Sequence, residues 1–147
     1  MSPARAHPGA ARVLSFYTAR RGGGSEIIGA FFAVYNELGR GFLESVYRNA
    51  LSVALDQRGV RNRREAPLDV FFRGARVGFF RADLLVDDSV VVEVKVANAL
   101  DRSHEAQVLN YLRACSIEVG MLLNFGPQAR FRRLIYTNDQ KVLDRPI

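Results

Sequence analysis

Residues 81–96 read Arg81-Ala82-Asp83-Leu84-Leu85-Val86-Asp87-Asp88-Ser89-Val90-Val91-Val92-Glu93-Val94-Lys95-Val96, two apolar runs on either side of an Asp-Asp turn. Runs rich in valine and leucine and bounded by turn residues spell adjacent β-strands. In the second run Val92, Val94 and Val96 point to one face, and Val91, Glu93 and Lys95 to the other. A strand this apolar belongs in the middle of a sheet, covered on both sides. A carboxylate and an ammonium buried there are costly unless partners are supplied. The turn brings Asp83 on the first strand beside Glu93 on the next. Two unpaired carboxylates at that range repel and raise each other's pKa. A divalent cation converts the repulsion into binding and lowers the pKa of a water it holds. The Val94 carbonyl is a further ligand, and Lys95 can orient the water or stabilise developing negative charge. The spacing by itself also fits a plain Glu93–Lys95 ion pair on a solvated sheet face, a reading of equal weight.

Composition narrows the metal. Cys115 is the only cysteine, so no intrachain disulfide and no cysteine-based zinc site can form. The two histidines, His7 and His104, are far apart, which disfavours a histidine zinc site; His104 reads as a helix-surface residue. A hard cation held by oxygen remains, magnesium or manganese. Of the 21 basic residues only Lys95 and Lys141 are lysine. A lysine inside a valine strand, in a chain that otherwise uses arginine, suggests a local need for a compact charge that can give up a proton. Chance is the rival explanation.

Outward from this segment the pattern gives one domain over residues 25–140. Residues 1–24 form a basic tail that carries Arg5, Arg12, Arg20 and Arg21 and no acid. Of the net charge of +6, those four arginines supply all but +2. Phosphate binding would therefore come from local patches, not a global field. Ser25 offers an N-cap for an apolar first helix ending at Gly39, and a second helix follows Gly41 to about Arg58. Strands are expected at Leu68–Phe72, Arg76–Val86 and Val90–Val96, a helix at about Arg102–Ala114, and strands at Val119–Asn124 and Phe131–Tyr136. The order is ααβββαββ. No apolar run approaches the ~20 residues of a membrane span, and no secretory signal opens the chain, so a cytoplasmic protein without membrane contact is expected. The small size and apolar first helix make a homodimer an open expectation.

Two further constellations extend the strand pair. Glu44 and Tyr47 share a face of the second helix, one turn after Gly41, and Gln107 and Tyr111 share a face of the later helix. Each has an ordinary reading, as a dipole-friendly acid or half-buried aromatics. Taken together, the chain resembles the GxxExxY family, a branch of the PD-(D/E)XK nuclease superfamily. Gly41, Glu44 and Tyr47 match its name-giving motif. The resemblance runs from about Glu26 to Tyr136. It includes Ile27-Ile28-Gly29-Ala30, Arg81 to Val86, Val92 to Lys95, Gln107-Val108-Leu109-Asn110-Tyr111-Leu112 and Leu122-Leu123-Asn124-Phe125-Gly126.

The resemblance implies an α/β fold with a restriction-endonuclease-like αβββαβ core, an extra N-terminal helix and a mixed central sheet. It implies a magnesium- or manganese-dependent nuclease, with DNA the favoured nucleic acid. Asp83 and Glu93 would hold the metal with the Val94 carbonyl, Glu44 would support a ligand or second ion, Lys95 would be the catalytic lysine, and Gln107, Tyr47 and Tyr111 would line the cleft. Two departures stand out: Tyr35 where the family usually has His, and Arg40 where it has Pro.

Arg61, Arg63 and Arg64 precede the sheet and Arg130, Arg132 and Arg133 surround the last strand; each cluster reads equally as phosphate contacts or as a solvated rim. Neither an RNP-like aromatic stack nor a helix-turn-helix is legible. The rival to the nuclease is a non-catalytic nucleic-acid-binding or docking module that keeps the fold. The intact Asp-Glu-Lys set argues against it.

Overall fold

The computed structural model describes residues 23–141, so the expected basic tail lies almost wholly outside the described residues. In chain order the elements are α1 (Gly23–Leu38), α2 (Glu44–Gln57), β1 (Asn62–Phe72), β2 (Ala75–Val86), β3 (Val90–Lys95), α3 (Arg102–Ala114), β4 (Val119–Phe125) and β5 (Ala129–Ile135), then a 3-10 turn at Asn138–Gln140. The strands form one sheet in the order β1-β2-β3-β4-β5. Every pairing is antiparallel except β3 with β4, which is parallel and therefore needs a crossover; α3 is that crossover. The result is an α/β fold with a mixed five-stranded sheet. Among the described residues no helix is long and apolar enough to cross a membrane.

Helices cover both faces of β3, as its run of valines requires. On one face Ile27 and Phe31 of α1 and Tyr47, Leu51 and Leu55 of α2 pack on Leu84, Val92, Val94, Leu123 and Phe125. On the other, Leu112 of α3 packs with Ala66, Ala82, Leu85, Val91 and Ile117. Much of the apolar stripe of α1 is thus buried inside the chain, while Phe32 and Leu38 stay exposed.

Three boundaries differ from expectation. Helix α1 already includes Gly23 and Gly24, so Ser25 sits inside its first turn and does not cap it. Gly24 is buried, and packing outweighs the poor helix propensity of glycine. Strand β1 begins at Asn62, not Leu68, so Arg63 and Arg64 lie within the sheet. Their charge and Pro67 conceal a strand that is tolerated because it is an edge. Strand β5 starts at Ala129. The two tight turns fall where expected: Arg73-Gly74 and Asp87-Asp88 all take left-handed backbone, with φ between 51° and 79°, the geometry of type I′ hairpin turns.

Candidate active site

The β2–β3 ladder pairs Val86 with Val90, Leu85 with Val91 and Leu84 with Val92, and then stops. The same register continued by one residue sets Asp83 opposite Glu93. There the side chains take over from the backbone. The Asp83 amide donates to Glu93 Oε1 at 3.1 Å, and the Val94 amide donates to Asp83 Oδ2 at 2.8 Å. Each carboxylate thus fills a rung that the separating strands leave open. On the outer side, the β1–β2 pairing passes from Arg64–Leu84 to Ala66–Ala82 without pairing Glu65 to Asp83. Glu65 adopts φ 52°, a conformation that L-residues rarely hold. The alternation of faces changes phase here: Leu84 and Val86 face α1 and α2, whereas Ala82 and Ala66 belong to the α3 side. The distortion sits at the carboxylates, which is why strict alternation does not describe this part of β2.

Glu93 is 5% exposed. Burial, then the neighbouring Asp83 carboxylate, pushes its pKa up from about 4.5 to about 8, while the Asp83 amide and the Lys95 ammonium pull it back only in part. Lys95 alone therefore does not neutralise the pair. The donor set fits a hard divalent cation: two carboxylates side by side and the Val94 carbonyl next to them, all oxygen. Among the described residues no three His, Cys, Asp or Glu side chains gather, so water and phosphate oxygens would complete the shell, as magnesium commonly requires.

Lys95 is half-buried at the end of β3 and lies in register with Asn124 of β4. Asn124 is 1% exposed, and its amide grips the chain just past Lys95: Oδ1 accepts from the Ala97 amide at 2.9 Å and Nδ2 donates to the Ala97 carbonyl at 3.0 Å. Gly126 permits this contact, since a Cβ there would fall 2.0 Å from the Ala97 carbonyl oxygen. Tyr35 holds the following loop by donating its hydroxyl to the carbonyls of Gly126 (2.8 Å) and Pro127 (3.0 Å). The tyrosine that departs from the family pattern therefore has a structural function. The asparagine, the glycine and this loop had no assigned part in the sequence reading; the run Leu122 to Gly126 marked the place without the reason.

From α3, Tyr111 approaches the pair. Burial and then the charges of Glu93 and Asp83 raise its pKa, and Gln107 beside its hydroxyl offsets part of that. Asp83 and Glu93 are thus joined through the backbone, Lys95 follows on the same strand, and Tyr111, with Gln107 beside it, lies near enough to feel their charge. Glu44 and Tyr47, the two expected residues of α2, differ from these. Glu44 is exposed at the first turn of α2, and no hydrogen bond or ion pair ties it to the carboxylate pair. Tyr47 is fully buried on the opposite side of the sheet, stacked on Phe125 at 4.4 Å, with its hydroxyl donated to the Gly39 carbonyl. It does not line a cleft; it anchors the loop that leads into α2.

The arginine clusters also change meaning. Arg61 pairs with Asp87 and Asp88, and Arg63 with Asp88, so the acidic β2–β3 turn offsets two arginines of the first cluster, while Arg64 bonds the neutral Asn49. In the second, Arg132 pairs with Glu105 and Arg130 bonds Gln128. His104 and Asp101 form a capping box at the start of α3, a structural role. Lys141, the other lysine, donates to the carbonyls of Cys115 (2.9 Å) and Ile117 (2.7 Å) just beyond the end of α3. Both lysines therefore occupy specific sites.

The fold agrees with comparisons to known proteins. A solved structure titled "Crystal structure of SSO0001" is similar at 20% identity with a TM-score of 0.51, over 65% of this chain and 50% of that one. At that identity the likeness concerns the fold, and the chain spans about half the length of that protein. No curated protein matches. The family model of the PD-(D/E)XK nuclease superfamily matches residues 23–134, well over half of the chain and inclusive of every residue of the site. The chain belongs to the PD-(D/E)XK nuclease superfamily.

Proposed function

We propose that the protein is a divalent-metal-dependent nuclease that hydrolyses phosphodiester bonds of nucleic acid, with DNA favoured. The observation that carries the reading is the Asp83–Glu93 pair at the point where β2 and β3 separate, with Lys95 two residues on. Asp83, Glu93 and the Val94 carbonyl would hold magnesium or manganese. A cation bound there supplies the positive charge that makes water a competent nucleophile near neutral pH. Lys95, a compact ammonium fixed by the Asn124–Ala97 clamp, orients the attacking water and meets the charge that develops on the phosphoryl oxygens. Gln107 and Tyr111 shape the α3 wall of the cleft and exclude bulk water from one side. Glu44, exposed at the first turn of α2, would support a ligand or a second cation that arrives with the phosphate.

The ordered matches at Gly41, Glu44 and Tyr47 and along β2, β3, α3 and β4 support assignment to the GxxExxY branch. The residues from about 25 to 140 would act as one nuclease unit, and residues 1–24 as an accessory basic tail. Cleavage of labelled DNA and RNA strands with millimolar magnesium or manganese tests the activity. It should vanish with a chelator, and calorimetry should show metal binding in the intact chain but not in Asp83→Ala. Absence of metal binding at millimolar concentration would leave only a docking module with this fold.

A further inference from the structure

Helix α2 and strand β1 meet through charged residues that the proposed chemistry leaves unused. Arg64 is the ladder partner of Leu84, whose side chain packs under α1 and α2, so Arg64 stands on the α2 side of the sheet. There Arg64 Nη1 donates to Asn49 Oδ1 at 3.3 Å. Arg48 Nε donates to the same oxygen at 3.2 Å. Two guanidiniums thus converge on one uncharged atom. The acid beside them is Glu65, whose Oε2 lies 3.7 Å from Arg48 Nη2, an ion pair too long for a hydrogen bond. The Glu65 side chain is 56% exposed and that of Arg48 only 18%. Like charges held this close repel, and a single solvated carboxylate offsets the repulsion weakly. The location is specific as well. Glu65 holds left-handed backbone and stands level with Asp83, where the β1–β2 ladder is interrupted.

We propose that Arg48 and Arg64 form a clamp for a backbone phosphate of the nucleic-acid substrate, with Glu65 as the anion that a phosphate displaces. The inference rests on the nuclease reading of the Asp83–Glu93 site. A planar guanidinium presents paired donors that match phosphate oxygens. Among the described residues the Arg48 side chain donates a hydrogen bond only through Nε, so its Nη groups are available. A phosphate between the two arginines replaces their repulsion by charge-assisted bonds. Neighbouring strands lie about 4.8 Å apart, which sets Glu65 one strand away from Asp83. The clamp lies on the α2 side, and Arg48 shares a helix face with Glu44 four residues earlier; Tyr111 belongs to α3 on the other side. The clamp would therefore take a phosphate beside the scissile one and not the scissile phosphate itself. Arg48 and Arg64 are positioning residues: they hold the polynucleotide on which Asp83, Glu93 and Lys95 act. An acidic protein segment offers the same charge, yet gives no reason for the clamp to lie level with a site for cleaving phosphodiesters.

The test is fluorescence anisotropy of the full chain in chelator, over a salt series. The probes are labelled DNA and RNA strands and a DNA duplex. Each phosphate contact adds about 0.7 to the slope of log affinity against log salt for a single strand, and about 0.9 for a duplex. Arg48→Gln and Arg64→Gln should each weaken binding and flatten the slope by about that amount, from roughly 0.7 to 0.9. Glu65→Gln, which removes the competing anion, should tighten binding severalfold. Arg61→Gln, whose charge the Asp87–Asp88 turn offsets, should leave the slope unchanged. Thermal midpoints check folding; should Arg48→Gln unfold, the exposed residues decide through Arg64→Gln and Glu65→Gln. No binding of any probe, an unchanged slope in Arg64→Gln, an equal loss in Arg61→Gln or weaker binding by Glu65→Gln overturns the clamp. Flattened slopes without metal-dependent cleavage would refute the catalytic reading and leave the clamp standing; cleavage with unaltered slopes would do the reverse.

Discussion

In the proposed chemistry Glu93 is the central residue, because the chain buries its carboxylate against Asp83 with one lysine nearby. Its raised pKa makes the metal-free fold sensitive to pH in a defined direction. The folded state holds the Glu93 proton up to about pH 8, whereas the unfolded chain releases it near 4.5. Between those values the native state binds more protons, so this contribution to stability is full at the acid end and is lost as pH rises towards 8. The thermal midpoint of Glu93→Gln, which cannot ionise, should lack this decline in the same window, and the variant should exceed wild type near pH 8 without metal. A midpoint series in chelator checks both. Metal binding near pH 7 should release a proton, which calorimetry in buffers of different ionisation enthalpy reads directly. At Lys95, arginine preserves charge but not the compact ammonium, so Lys95→Arg should lose activity nearly as fully as Lys95→Ala. Single-turnover rates at saturating metal would show this.

At the scale of the elements, the site depends on how β3, β4 and the loops beyond them are fixed. Asn124→Ala leaves both polar groups of Ala97 without their buried partner, a loss of about 1–3 kcal/mol. If the clamp positions Lys95, kcat should fall while metal affinity, which the proposal assigns to Asp83 and Glu93, holds. Denaturant unfolding and metal titration separate the two effects. Tyr47→Phe removes only the hydroxyl donated to Gly39, costs about 1 kcal/mol, and should leave metal binding untouched, since Tyr47 lies on the other side of the sheet. Loss of metal binding in that variant would return Tyr47 to the site. The β2–β3 pair and α3 were legible in the sequence because valine runs, Asp-Asp turns and a helical stripe each signal one element. The N-terminal half of β1 was not, since Arg63, Arg64 and Pro67 disguise an edge strand as a loop. Nor was the side of the sheet that Tyr47 faces: helical spacing puts it on a common face with Glu44 only approximately, and packing on Phe125 decides the matter.

For the whole molecule, charge was the least informative signal. The surplus lies chiefly in residues 1–25, and within the fold Arg61 and Arg63 are paired with Asp87 and Asp88. Affinity for nucleic acid should accordingly weaken with salt less steeply once residues 1–24 are removed, as fewer phosphates are neutralised. Binding measured over a salt series with and without the tail reports this slope. The exposure of Phe72 and Phe79 was invisible to sequence reading because Val70-Phe71-Phe72 and Val77-Gly78-Phe79-Phe80 look like ordinary apolar strand runs; the structure leaves both rings about half exposed. The site's location followed from residues, while its surroundings followed from topology. The central claim is a metal-dependent nuclease centred on Asp83, Glu93 and Lys95. Its most direct test is cleavage of a labelled nucleic-acid panel by wild type, Asp83→Ala and Lys95→Ala with magnesium or manganese and with chelator. Metal-dependent cutting by wild type alone, with both variants folded but inactive, is the predicted result; wild-type activity in both variants would contradict it.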